Sequence, residues 1–179
     1  MKLEDMEEYL GLKAGIRCQA CPYNLTATKQ ILGQKTGLGL KVLIVGEAPG
    51  KEEDETGVPF IGKSGQLLRE LISPILPYSY ITNMIKCRPP ENKLQDEKWT
   101  DVCVHKHLIF QIAEMYPPVA LLVGKTAERY FPYEIYDGRV FKIAHPAWVL
   151  YKPSLKNEYM EEVRKVVRDI QTFLYPQVI

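Results

Sequence analysis

The chain has 179 residues, 46% of them hydrophobic and 25% charged, which suffices for one ordinary globular domain, expected to span residues 1–179. A net charge of +1 does not by itself announce a nucleic-acid binder, and the longest apolar runs, 42–45 and 119–123, are far too short to cross a bilayer. The acidic start MKLEDMEEYL lacks the basic-then-apolar layout of a secretory leader, so a cytoplasmic protein is expected, its four cysteines serving as thiolate ligands or buried thiols rather than disulfides.

Residues 3–12 read as a short amphipathic helix and RCQACPYN (17–24) as a loop. KVLIVG (41–46) is a short apolar run ending in Gly, the pattern of a buried parallel strand. A polar loop, 47–63, follows. Ser64 is placed to cap a helix to about Leu76, with Leu67, Leu68, Leu71 and Ile75 as its apolar stripe. SYITNMI (79–85) is a second strand, and Asp96 opens a helix to about Met115. VALLVG (119–124) is a third strand, followed by a short helix from Thr126. VFKIA (140–144) is the fourth, and a helix over roughly Leu155–Leu174 ends the pattern.

Strands alternating with helices predict an α/β fold: three layers, α/β/α, around a central, mainly parallel four-stranded sheet. Such folds bind ligands outside the carboxyl ends of their strands. The residues just past those ends are Glu47, Asn83, Gly124 with Lys125, and His145. A carboxylate, an amide and an imidazole at successive strand ends form a candidate active site, against the plainer reading of three unrelated loop residues.

Cys18 and Cys21 form a Cys-x-x-Cys pair, whereas Cys87 and Cys103 have fifteen residues between them. That gap is unlike a compact zinc ribbon. It suits a site that staples the N-terminal segment and the 87–103 region onto the sheet, and four thiolates accept either zinc or an iron–sulfur cluster. His105 and His107, two apart on a helix, face different directions and are expected to be surface residues. Arg139 to Asp169 carries seven basic residues against four acidic ones, either a phosphate-facing side or a solvated helix face.

GEAPGKEEDETGVPFIGKSGQLL (46–68) is the most specific stretch. It resembles the first motif of the family 4 uracil-DNA glycosylases, the iron–sulfur type. TNMIKCRPPENK (82–93) is similar to that family's second segment and HPAWVL (145–150) to its third, and the cysteine layout is similar to its [4Fe–4S] framework. Two departures stand out: the stretch before HPAWVL is short for the family, and Ala48 stands where the cluster-free uracil glycosylases carry a water-orienting Asp, as is common in family 4.

The resemblance implies a DNA-repair enzyme that flips uracil from single- or double-stranded DNA and hydrolyses its N-glycosidic bond; the alternatives are a superfamily glycosylase for another damaged or mismatched base and a non-catalytic, cluster-bearing DNA-binding protein. It implies a [4Fe–4S] cluster on Cys18, Cys21, Cys87 and Cys103. Phe60 would stack on the base, Asn83 would read its edge, and His145 would face uracil O2. Glu47 would act on water and the sugar, and the backbone at Ala48 would meet the uracil edge. Gly50 replaces a Tyr that bars thymine's methyl group in the cluster-free enzymes, which leaves thymine exclusion to another group such as Glu47. Glu53 and Asp54 are alternatives for water activation, but as residues at a helix start they are expected to cap loops. Leu150 is the preferred wedge into the base stack and Val149 the core alternative, while Lys63, Ser64 and Lys152 are placed to meet phosphate. Other expectations are a monomer, no membrane association, and no assigned replication or repair partner. QTFLYPQVI has Gln171 and Leu174 at sliding-clamp-motif spacing but lacks the final aromatic pair.

Overall fold

The computed structural model describes Cys18 and residues 21–176. The helix expected over residues 3–12 and the last three residues of QTFLYPQVI lie outside the described residues. The sheet has five strands in the order β1-β3-β2-β4-β5, namely Gln34–Lys35, Ser79–Asn83, Val42–Gly46, Val119–Val123 and Arg139–Ile143. All neighbours are parallel except β1, which runs antiparallel to β3 with Gln34 opposite Ile81. The expected count of four is therefore corrected to five. The added strand is two residues long, too short to carry any alternating pattern.

β2 and β4 are buried at every position, as expected of central strands covered on both sides. On one face Val42, Ile44 and Leu121 pack with Leu68, Ile72, Val163, Val167 and Ile170, from helices Lys63–Leu71 and Lys156–Leu174 and the turn after the first. On the other, Leu43, Val45 and Leu122 pack with Val104, Leu108, Ile109, Ile112 and Ala127. The three-layer α/β/α expectation holds. The chain leaves β2 for β3 on one side and then returns to β4 on the other, so β2 lies at the point where strand order reverses.

Helix positions differ in detail. The stretch expected to be loop contains helices Pro22–Thr26 and Lys51–Thr56. Helix Lys63–Leu71 is capped by Gly62 rather than Ser64 and stops at Ile72 rather than near Leu76. Asp96 does open its helix, accepting from the Lys98 N–H. That helix, however, widens over Val104–Leu108 into a π-helical stretch, in which the Ile109 N–H reaches Val104 O, before continuing over Ile109–Met115. No helix among the described residues is long and apolar enough to cross a membrane.

Part of the basic stretch is occupied by surface ion pairing, with Lys142 on Glu128 and Arg164 on Glu161. Arg139 lies over the rings of Phe141 and Phe173. The solvated-face reading fits these residues.

Candidate active site

A cleft of about 390 Å³ opens at the carboxyl ends of the strands. Glu47, Ala48, Phe60, Ser64, Asn83 and His145 all line it, so the strand-end residues do converge. Three more lining residues are Pro89 and Asn92, at the short 3-10 turn Pro90–Asn92, and Tyr151, the last residue of helix Ala147–Tyr151. Lys63 is exposed at the helix start beside the cleft.

The floor is set by Gly46, the last residue of β2. A Cβ there would collide with the Phe60 ring and come within 2.6 Å of Asn83 Oδ1, so the ring and the amide meet in the space that a side chain would fill. Asn83 is only 3% exposed. Its backbone is pinned on both sides, since Gly46 pairs with it in the ladder and the following N–H, of Met84, donates to Gly46 O at 2.9 Å.

Phe60 has φ of 57°, a left-handed conformation costly for a bulky residue. Two charged groups hold it there. Glu53 Oε1 accepts from the N–H groups of Ile61 (3.0 Å) and Gly62 (2.9 Å), while its Oε2 accepts from the Gly50 N–H at 3.1 Å. Arg69 donates through Nε to Phe60 O at 3.0 Å, and through Nη2 to Pro59 O at 2.8 Å and Gln34 Oε1 at 2.6 Å. Gly65 completes the fit, because a Cβ on it would strike the Phe60 backbone. Both acidic residues considered as alternatives for water activation thus act as loop caps: Glu53 as described, and Asp54 by accepting from the Thr28 and Lys29 N–H groups. Gly50 has a local reason as well, since a Cβ there would lie 2.7 Å from Glu53 Oε2.

His145 follows β5 and packs against Gly124, whose φ of +90° and lack of a side chain admit it; a Cβ on Gly124 would lie 3.0 Å from His145 Cβ. The Ala147 N–H donates to His145 Nδ1 at 3.2 Å. A backbone N–H can only donate, so Nδ1 is the acceptor and the ring proton sits on Nε2. Burial lowers the imidazole below its ordinary pKa, with Glu47 and Glu53 pulling weakly the other way. The ring is therefore neutral near neutral pH and offers one N–H.

Glu47 accepts from Thr126 Oγ1 at 2.5 Å. Thr126 lies on helix Lys125–Tyr130, after β4. Only the tertiary fold brings the two together, and no spacing in the sequence marks Thr126. Beside the cleft, Val149 is 1% exposed and belongs to the core, whereas Leu150 is 43% exposed. Lys152 lies over the Trp148 ring, 5.5 Å from its centroid.

The four cysteines are unpaired as disulfides. Cys21, Cys87 and Cys103 pack around Tyr23 and Ile85. Burial pushes the Cys87 thiol up to about 12, and Cys103, Cys21 and Cys18 add to the shift. Cys103 is pushed up to about 11, again mainly by burial, with Lys86 opposing and Cys18 and Cys21 adding. Among the described residues, however, no group of three or more His, Cys, Asp or Glu closes into a site for a metal ion.

His107 departs from expectation. It is half-buried, its Nε2 lies 3.3 Å from Cys18 Sγ, and burial lowers it to about 4. The wider π turn changes which way this residue points. His105 is also half-buried, its Nδ1 2.7 Å from Asp101 O.

The fold and cleft define an α/β protein whose strand ends bring a ring, an amide, an imidazole and a carboxylate into one cleft. Residues 34–169 match the family model of the uracil DNA glycosylase superfamily. The type-4 uracil-DNA glycosylase of Archaeoglobus fulgidus is 31% identical over 174 residues, covering 83% of this chain and 86% of that protein. The type-4 enzymes of Thermotoga maritima and Pyrobaculum aerophilum are each 35% identical, covering 83% and 82% of this chain and 87% and 86% of their own lengths. The chain belongs to the uracil-DNA glycosylase superfamily.

Proposed function

We propose that this chain is a DNA-repair enzyme, a single glycosylase domain that hydrolyses the N-glycosidic bond of uracil flipped out of DNA and leaves an abasic site. The observation that carries this reading is the convergence of Glu47, Phe60, Asn83 and His145 in one cleft.

In this reading the flipped ring lies on Phe60, held by stacking that is worth roughly 1–3 kcal/mol for any base. Identity comes from Asn83. Its NH₂ donates to uracil O4 and its Oδ1 accepts from N3–H, whereas cytosine presents the reverse pattern. As the bond from N1 to C1′ lengthens, its electron pair stays with the base and charge gathers on O2. The His145 Nε2–H meets that oxygen; donors so placed contribute about 3–4 kcal/mol. Glu47, one oxygen tied to Thr126, turns the other to a water and stabilises positive character on the sugar. The water oxygen bonds to C1′, its proton passes to the carboxylate, and uracil leaves as the anion to be protonated by solvent. Ala48 contributes backbone to the base edge. Lys63, Ser64 and Lys152 face phosphate, and Leu150 fills the gap left in the stack.

We further propose that Cys18, Cys21, Cys87 and Cys103 hold a [4Fe–4S] cluster. Support comes from the donor set: Cys21, Cys87 and Cys103 pack around Tyr23 and Ile85, and burial makes the Cys87 and Cys103 thiols costly to ionise, a situation that a bound cation relieves. Four thiolates suit an iron–sulfur cluster, and the cysteine layout is similar to that of the [4Fe–4S] glycosylases. Hydrolysis needs no electron transfer, so the cluster would fasten the N-terminal segment to the helix that carries Cys103.

The test is base release. Single- and double-stranded oligonucleotides carrying uracil, thymine opposite guanine, or hypoxanthine are incubated with the protein, and abasic sites are cleaved with alkali. Cleavage at uracil is expected; none from any uracil substrate overturns the reading. Iron and sulfide analysis with visible absorption tests the cluster.

A further inference from the structure

Lys86 is fully buried, at 0% exposure, yet no carboxylate pairs with it among the hydrogen bonds and ion pairs of the described residues. Its ammonium instead meets three oxygens: Thr82 Oγ1 at 2.7 Å, Asn83 O at 2.6 Å and Gln111 Oε1 at 2.8 Å. An ammonium has three N–H donors, so the tripod satisfies all of them. Two of the acceptors are anchored further. Thr82 Oγ1 donates to Leu32 O at 2.7 Å, and Gln111 Nε2 donates to the same carbonyl, also at 2.7 Å. The backbone of Lys86 is tied too: its N–H donates to Cys103 Sγ at 3.3 Å and its carbonyl accepts from the Ile31 N–H at 2.6 Å. The lysine therefore links β3, the segment before β1, the helical stretch 97–115 and the thiol pocket.

The position matters because Asn83 must keep one orientation to tell uracil from cytosine. We propose that Lys86 is a positioning residue for base recognition, its ammonium tripod holding the Asn83 end of β3 in register beneath the cleft. Gln111 is its outer brace. This rests on the reading of Asn83 as the base-edge reader. Lys86 touches neither cleft nor substrate, so its effect passes through the Asn83 carbonyl. A residue in such a role lowers the rate at saturating substrate more than it weakens DNA binding.

Lys86→Met removes the tripod, and Gln111→Leu removes one leg of it at a half-buried position. Each is expected to lower kcat on a uracil oligonucleotide by roughly tenfold to a hundredfold while KM stays near the native value. In hydrogen exchange, the amides of Met84 and Ile85 should open faster in Lys86→Met and Gln111→Leu than in the native protein, a readout that needs no activity. Iron content should be unchanged, because Cys103 is met by the backbone of residue 86. If Lys86→Met does not fold, Gln111→Leu decides. Native kcat and native exchange in Gln111→Leu overturn the proposal. Asn83→Ala separates the two claims: if it keeps the native rate, the base-reading assignment fails, whereas if it is inactive and Gln111→Leu is not, only the role of Lys86 fails.

Discussion

The hydroxyl of Thr126 donates to Glu47 Oε2 at 2.5 Å, joining the end of β2 to the helix that follows β4. The bond occupies one carboxylate oxygen and aims the other. Thr126→Val keeps the shape and removes the donor. It is expected to lower kcat by roughly tenfold with DNA affinity unchanged, and Thr126→Ser should restore the rate. Single-turnover kinetics beside a DNA-binding titration check this; an unaltered rate in the valine variant removes Thr126 from the site.

In the proposed mechanism His145 acts as a neutral donor, and burial holds its pKa below the ordinary 6.5. The active form therefore persists at pH values where an exposed imidazole is already charged. The rate should stay flat from neutral pH down past 6.5 and fall only below it. The sign for stability is the same. The unfolded chain takes up the proton first, so this residue's contribution is present above 6.5 and is lost as pH falls through the folded value. His145→Ala should lower the rate by roughly a hundred- to a thousandfold. A pH–rate profile of the native protein with a limb centred above 6.5 that vanishes in the alanine variant would contradict the assignment.

Arg69 and Glu53 clamp the left-handed Phe60 from opposite sides. Arg69→Met leaves the carbonyls of Pro59 and Phe60 without their donor, at a cost of about 1–3 kcal/mol in stability. Because stacking helps substrate and transition state alike, KM should rise more than kcat falls. Thermal melts and steady-state kinetics report the two effects separately.

Cys87 is a buried residue, whereas the other three cysteines are half-buried. Cys87→Ser should abolish the iron-dependent visible absorption. The melting midpoint should fall by ~2–4 °C for each kcal/mol lost. Chelation of iron from the native protein should lower the midpoint in the same direction. A variant that keeps its colour and iron shows that the cluster does not need this thiol.

Legibility in the sequence followed pattern length. β2, β3, β4 and the helix ending at Leu174 carry enough apolar periodicity to be read within a residue or two. β1 has two residues and its antiparallel pairing leaves no mark. Glu47, Asn83 and His145 were legible because an α/β sheet places its ligands past strand ends. Arg69, Thr126 and Lys86 were not, since each acts on a residue or backbone group that only folding brings near. His107 was misjudged for a related reason: the expectation assumed a regular helix, and the widened turn at Val104–Leu108 broke that assumption.

That widened turn works like the index mark on a dial. A π-helical stretch holds one residue more than the regular helix over the same path. Were residues 104–108 wound as a regular helix instead, with Ile109 and Ile112 still docked on the sheet, those residues would turn through one residue's angle more. The half before them would then rotate by about 100° about the helix axis. Cys103 sits at the edge of that half and would swing away from Cys87. One surplus residue therefore stores the angular setting that aims this thiol, separately from the contacts that hold the helix down.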